Sequence, residues 1–488
     1  MPALAETPKK GGLFTAGIRG GASTDSLDPA TFESQQQIFI GFAVRNNLTE
    51  IASDNSLKAE LAESWESDDA KVWSFKLRPG VEFHNGKSLS PEDVVASLNI
   101  HRGEGTKSGA APLLKDVVSV AADGKERVRV ELQAPNADFP FILSDYHFNI
   151  VPANADGSGD VSGVGTGGYF LEDYNPPTTR LRRNPNYWKD GAAHFDEGEV
   201  LLINDSTAAT TALITGDVDA INDAEYKTLD LLSRHDDVAI ESVPGGYHPT
   251  FAMRSTLAPF DSNDVRLALK YAIDRQALVD KVLKGNGVVA NDHPIAPSMP
   301  FHDSSIEQRP YDPDKARFHL KKAGLDSLHV RLSTSDSIFP GAIDSVVLYK
   351  ESAKKAGLDI EVGREPGDGY WSDIWLKRPF YTGGWGPRPV PDMIFTSAYA
   401  SGAAWNETSF SNARFDELLL AARAELDESK RAQMYSEMQR LVRDEAGAVI
   451  PFFRNYVYPR RKEIAHSGAL GGDWQLDGLK AMERWWRA

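Results

Sequence analysis

Arg388 lies in the stretch GGWGPRPVPDMIF, Gly383 to Phe395, where three prolines and three glycines fall within thirteen residues. That composition suits neither a helix nor a central strand, so a stiff loop is predicted. Proline fixes φ and lowers the entropy lost on ordering, which holds Trp385 and Arg388 nearly still. A guanidinium presented this way forks onto a carboxylate or phosphate through two parallel hydrogen bonds, and that is the chemistry expected of Arg388. The other reading is a brace within the loop, Arg388 pairing with Asp392; Asp392 is alternatively placed to receive an amine. Just downstream, AYASGAAWNETSF sets small residues around Tyr399, Trp405 and Asn406. Small side chains let the backbone approach a solute, while an aromatic face and an amide stack on it and hydrogen-bond to it. For Trp385 and Trp405 plain core packing competes, because tryptophan is largely buried whatever its role.

Nothing comparable points to catalysis. The 11 histidines are scattered, with no His-x-His and no His-Glu-x-x-His, so no metal site is expected. There is no Gly-x-Ser-x-Gly elbow. Cysteine is absent, which removes disulfides and thiolate chemistry. GVGTGG, Gly163 to Gly168, matches the dinucleotide fingerprint, but the chain continues as strand, turn and strand where a helix should face the pyrophosphate. In GVEFHNGKS five residues separate Gly80 from Gly86 where a P-loop has four, so a hairpin turn is expected. No cofactor is predicted. The 70 acidic residues make any single carboxylate pair arbitrary, and solvated surface charge explains nearly all of them.

The elements that must carry the loop alternate in type. SPEDVVASLNIHR opens a helix with Ser90 as N-cap, Pro91 in the first turn and Asp93 closing a capping box. A second helix is expected through DVRLALKYAIDRQALVDKVLKG up to Gly285, with Val265, Leu269, Ala272, Leu278, Val279 and Val282 mostly on one face. Others are expected at 313–323, 342–356 and 412–442. Between them VWSFKL, VRVELQ, VLLIND, VAIESV, VRLST and LDIEV read as strands, giving an α/β protein. Two extended runs, 245–255 and 449–458, look like passages between lobes. In the first, alternation points His248 and Thr250 the same way, and Tyr247 and His248 become candidates for a binding wall.

The chain of 488 residues exceeds what one core usually supports, so two or three domains are expected. Its formal charge of -17 repels phosphate backbones and anionic membranes, which argues against nucleic acid as partner. No run approaches the ~20 apolar residues of a membrane-spanning helix. Ala3-Leu4-Ala5 is the small-x-small pattern read by signal peptidase, and it predicts an exported protein whose apolar leader is not part of this sequence.

One segment adds a resemblance. LAESWESDDAKVWSFKLRPGVEFHNGKSLSPEDVVASL, Leu61 to Leu98, resembles the signature region of the solute-binding proteins of ABC importers in extracellular family 5, which includes oligopeptide, dipeptide, nickel and opine receptors. LDP at Leu27, VGTGGYFLEDY, RNPNYW, ALITGDVDA, APFDSNDVRLALKYAIDR and YDPDKARFHLKKAGL follow in the family's order. The resemblance implies a periplasmic-binding-protein-like II fold. Two main lobes would be joined by a two-stranded hinge, with a small third lobe inserted. Lobe I would comprise 10–37, 165–246 and 456–488, lobe II 38–164, and lobe III 247–455. It also implies a periplasmic, monomeric receptor, not an enzyme, that closes on a small solute and passes it to an inner-membrane ABC permease. Gln36 and Gln37 would face the solute from lobe I. In peptide-binding relatives the loop after Gly-Trp supplies an aspartate for the ligand's ammonium; here Pro387 stands at that position with Arg388 beside it. A carboxylate-bearing conjugate, such as an opine, is therefore expected over an ordinary di- or oligopeptide or a saccharide; a hydrolase on this scaffold is a more distant alternative.

Overall fold

The computed structural model describes residues 8–488, so Ala3-Leu4-Ala5 lies outside the described residues. The chain divides into two compact units, 1–243 with 456–488 and 244–455, and passes between them twice, at 243/244 and at 455/456.

The second unit carries the loop. Its five-stranded sheet runs in the order Leu358–Arg364, Leu328–Thr334, Phe380–Trp385, His248–Met253, Ala448–Val449. The first three strands are parallel. His248–Met253 pairs antiparallel with Phe380–Trp385, His248 opposite Trp385 and Thr250 opposite Gly383. Helix Ala342–Ala353 connects the parallel neighbours Leu328–Thr334 and Leu358–Arg364 as a crossover requires. The helices Pro391–Ala398, Ala413–Ala424 and Glu428–Glu445 build a second core around Phe395, Phe415, Tyr435 and Met438.

Two long helical patterns are each broken in two. The run expected through to Gly285 is Asn263–Tyr271 followed by Arg275–Lys281, and the run over 412–442 is Ala413–Ala424 followed by Glu428–Glu445. In both an aspartate starts the second helix: Asp274 accepts from the Ala277 N–H at 3.0 Å, and Asp427 from the Ser429 and Lys430 N–H groups. Apolar periodicity continues across such a break, whereas the capping oxygen competes with the helix interior for the backbone. Asp427→Ala is expected to cost about 1 kcal/mol, read as a lower urea midpoint at unchanged slope; a midpoint equal to wild type would contradict this.

The first unit holds most of a sheet in the order Val238–Pro244, Phe452–Arg461, Ala220–Ile221, Leu13–Ile18, Glu197–Leu202, Thr178–Arg183, Tyr169–Asn175, the strand Phe452–Arg461 itself crossing from the second unit at 455/456, and a separate antiparallel sheet of Ala62–Glu66, Val72–Leu77, Arg127–Leu132 and Val117–Asp123. Each has its own core, one around Phe14, Phe39 and Trp485, the other around Phe75, Val128 and Phe139. The glycines of GVGTGG precede two strands, Tyr169–Asn175 and Thr178–Arg183. Their reason is steric: a Cβ on Gly165 would lie 2.1 Å from the Val44 carbonyl oxygen. FHNGK is a hairpin turn, Glu82 bridging Ser88, with Gly86 at φ +81. Among the described residues no helix is long and apolar enough to cross a membrane.

Candidate functional site

Phe380–Trp385 sits at the centre of the second unit's sheet, and its carboxyl end feeds the loop 386–390 and then the helix Pro391–Ala398. In α/β sheets this carboxyl edge is where ligands are received, since loops there are positioned by a rigid scaffold without having to fill the core. The antiparallel neighbour His248–Met253 begins at the same edge, so His248 sits directly opposite Trp385 there, with Tyr247 just before it.

Arg388 is half-buried, and its Nη1 donates to the Pro387 carbonyl at 3.0 Å. Pro387 packs so closely on Gly246 that a Cβ there would come within 3.0 Å of it. The loop is thus locked to the start of the neighbouring strand. Asp392 is engaged elsewhere: its Oδ1 accepts from Arg423 Nε and Nη2 at 3.0 and 2.9 Å. That ion pair ties the helix Pro391–Ala398 to Ala413–Ala424.

His248 is buried, with Nδ1 3.1 Å from the Gly246 carbonyl and Nε2 without a hydrogen-bond partner among the described residues. The carbonyl fixes Nδ1 as the donor, leaving Nε2 as an acceptor. Burial first, and the Arg388 charge in addition, bring its pKa down to about 4. His293 in the same unit is lowered by burial to about 3. Each is neutral in the fold and titrates near ~6.5 in the unfolded chain. Stability is therefore complete above pH ~6.5 and falls as pH drops towards the folded values, by about 1.4 kcal/mol per histidine per pH unit. Melting temperature should drop between pH 7 and pH 5, and less steeply in His293→Gln; a flat profile in wild type would contradict this.

Tyr247 donates its hydroxyl to the Ile338 carbonyl at 3.1 Å, and the Arg454 guanidinium lies over its ring at 5.1 Å. Tyr399 is buried against Phe395. Asn406 is a brace for the turn that follows it, donating to the Ala400 and Phe410 carbonyls and accepting from the Phe410 N–H. Gln37, in the first unit, closes the capping box of helix Gln35–Val44, with Oε1 accepting from Glu33 and Ser34 N–H and Nε2 donating to Ser26 and Thr31 carbonyls. Its neighbour Gln36 is a buried amide with neither polar atom hydrogen-bonded among the described residues.

Sequence reasoning missed Glu407. It is 4% exposed. Its Oε2 accepts from Thr250 Oγ1 at 2.7 Å and Trp385 Nε1 at 3.0 Å, and its Oε1 from Trp375 Nε1 at 2.6 Å. Burial raises its pKa, and these three donors pull the other way. Trp375 and Trp385 each pack on Trp405, at 6.5 and 6.2 Å between ring centroids, and Trp371 packs on Trp375. Trp385 is buried, whereas half of Trp405 is exposed. The structure, not the sequence reading, places Gly383 inside a strand, where glycine marks a close approach: a Cβ there would run into Glu407 Oε1. Gly383→Ala must displace the carboxylate, and should cost about 1–3 kcal/mol of stability with a change in tryptophan fluorescence; a native spectrum and melting point would contradict this packing.

A family model described as bacterial extracellular solute-binding proteins, family 5 Middle, matches residues 56–407. Among curated relatives, heme-binding protein A of Haemophilus influenzae is 28% identical over 453 residues, covering 85% of this chain and 81% of the relative. Glutathione-binding protein GsiB of Escherichia coli K12 is 25% identical over 472 residues, covering 93% and 90%. The solved structure of HbpA2 from Haemophilus parasuis superposes with a TM-score of 0.83 at 20% identity, covering 95% of this chain and 99% of that one, which shows the shared periplasmic-binding-protein fold.

Proposed function

The chain belongs to the bacterial extracellular solute-binding proteins of family 5, and we propose that the solute it captures is a small polar molecule with a free carboxylate, peptide-like or an amino-acid conjugate of the opine kind. It is the substrate-binding component of an ABC importer. Proteins of this family bind small solutes for an ABC permease and work in the periplasm or outside the cell. For this chain the proposal is a periplasmic monomer that binds without catalysing a reaction. Its three lobes would be 10–37 with 165–246 and 456–488, then 38–164, then 247–455.

The observation that carries the carboxylate is Arg388 in a proline-locked loop at the carboxyl end of the central strand, beside a histidine that stays neutral. Such an environment presents one fixed positive charge, and a preorganised fork loses little on binding. Trp385, Trp405, Tyr399, Tyr247 and His248 would line the solute's other sides. Asn406 and Asp392 would act mainly by holding these elements, and Gln37 by capping the helix Gln35–Val44 of the first unit, given the bonds they already make. Heme and glutathione, the molecules named for two relatives, both carry free carboxylates. A peptide held by its amino terminus at Asp392 is the weaker reading, because Arg423 already occupies that carboxylate.

Thermal melting against paired acids and amides tests this. An accepted solute at a hundred times its Kd stabilises by about 2.7 kcal/mol, so acidic peptides and amino-acid conjugates should raise the melting temperature and their amides should not. Equal shifts from both members of each pair would remove the carboxylate from the proposal, and consumption of the bound solute during incubation would make the protein an enzyme.

A further inference from the structure

Glu407 and the tryptophans around it carry a second recognition element. A buried carboxylate ordinarily has a cation beside it, because an isolated charge is expensive to desolvate. Among the described residues no lysine or arginine pairs with Glu407: its partners are two indole N–H groups and the Thr250 hydroxyl. Indoles donate and never accept, so they favour the ionised acid. An indole whose N–H points at a carboxylate is polarised in turn, its ring face becoming more negative. Both of these indoles, Trp375 and Trp385, pack on Trp405, which is 51% exposed. The arrangement is an aromatic face, half-exposed at Trp405, with a buried carboxyl group behind it that accepts from both supporting indoles.

We propose that Trp405, backed by Trp375, Trp385 and the Glu407 carboxylate, receives a cationic group of the solute, an ammonium or guanidinium, so that the molecule captured is a zwitterion. Tryptophan is the best of the side chains for holding a cation against a ring face, and more so where the site is partly desolvated. This rests on the receptor reading above and adds a second charge, opposite in sign to the one Arg388 selects.

Choline and its uncharged isostere dimethylbutanol are the probes, titrated at constant ionic strength against the full chain. The indole N–H resonances and tryptophan fluorescence are the readouts. Choline and butylguanidinium are expected to shift the Trp375 and Trp385 indole signals saturably and the isostere to leave them unmoved. Trp405→Ala, an exposed position whose loss leaves the core intact, should weaken the cations about tenfold, and Glu407→Gln by a similar factor. If Glu407→Gln does not fold, Trp405→Ala alone decides. Equal response to choline and dimethylbutanol, no response to choline, or unchanged affinity in Trp405→Ala would overturn the proposal. A wild-type protein that binds an acidic solute yet fails these tests loses only the cation site; one that binds no solute at all loses the receptor reading.

Discussion

Arg388→Met weakens binding of an acidic solute by roughly 10- to 150-fold. This is the loss of a charge-assisted hydrogen-bonded pair contributing about 1.5–3 kcal/mol. The same variant should bind the matching amide as wild type does, because what disappears is the fork and not the shape of the loop. Proline on both sides keeps the backbone where it was, and Pro387 stays against Gly246. Arg388→Lys is expected to fall between the two, retaining charge but not two parallel donors. Isothermal titration of acid and amide against the three proteins separates these outcomes. Equal affinity of wild type and Arg388→Met for the acid would place the recognised carboxylate elsewhere.

Asp292→Asn unfolds the second unit more readily than any surface change, at about 3–5 kcal/mol, because it leaves buried cations without their countercharge. Asp292 is fully buried, with Arg275 Nη2 at 2.7 Å from both oxygens and Arg309 Nε at 3.0 Å. The cations gather at the carboxyl end of helix Glu428–Glu445. Lys270 donates to the Arg443 and Ala446 carbonyls at 2.7 Å, Arg309 to that of Arg443, and Arg266 to that of Glu445. Helix ends leave carbonyls unsatisfied and carry partial negative charge, so cations belong there. Burial brings the Lys270 pKa down to about 7, and Asp292 is the group that most opposes this. In Asp292→Asn the lysine should therefore be more easily deprotonated. The cost should be partly recovered at high pH, where Lys270 sheds its charge, while the arginines keep theirs. Urea unfolding at pH 7 and pH 9 reads both effects; a loss under 1 kcal/mol would contradict the account of this cluster.

The sequence made the architecture legible wherever a local rule and the long-range pattern agreed. Ser90 and Asp93 mark a helix start that the structure keeps, with the Ser90 N–H donating to Asp93 Oδ2. GVGTGG could be set aside as a nucleotide site because strand-forming residues follow it. Two helices were read as too long, because apolar spacing outlasts the helix when an aspartate inside the run caps a new one. The loop of Arg388 was legible from proline content only at 386–390: Gly383 to Trp385 finish a central strand despite two glycines, and Pro391 to Phe395 begin a helix, where proline is tolerated in the first turn. What surrounds it was not. Gln37 reads like a solute contact and is a capping residue, and Asn406 reads like one and braces a turn, since an amide's partners are set by tertiary neighbours that spacing does not reveal. Glu407 was hidden among 70 acidic residues. Only its approach to Gly383, to the Trp385 and Trp375 indoles and to the Thr250 hydroxyl, the last 157 positions away along the chain, distinguishes it.

Native mass spectrometry of the protein as purified from cells, followed by release and identification of whatever it carries, is the most direct measurement. A single small molecule bearing at least one free carboxylate and one cationic group is the predicted result. A neutral sugar, or any bound solute lacking a carboxylate, would contradict the account.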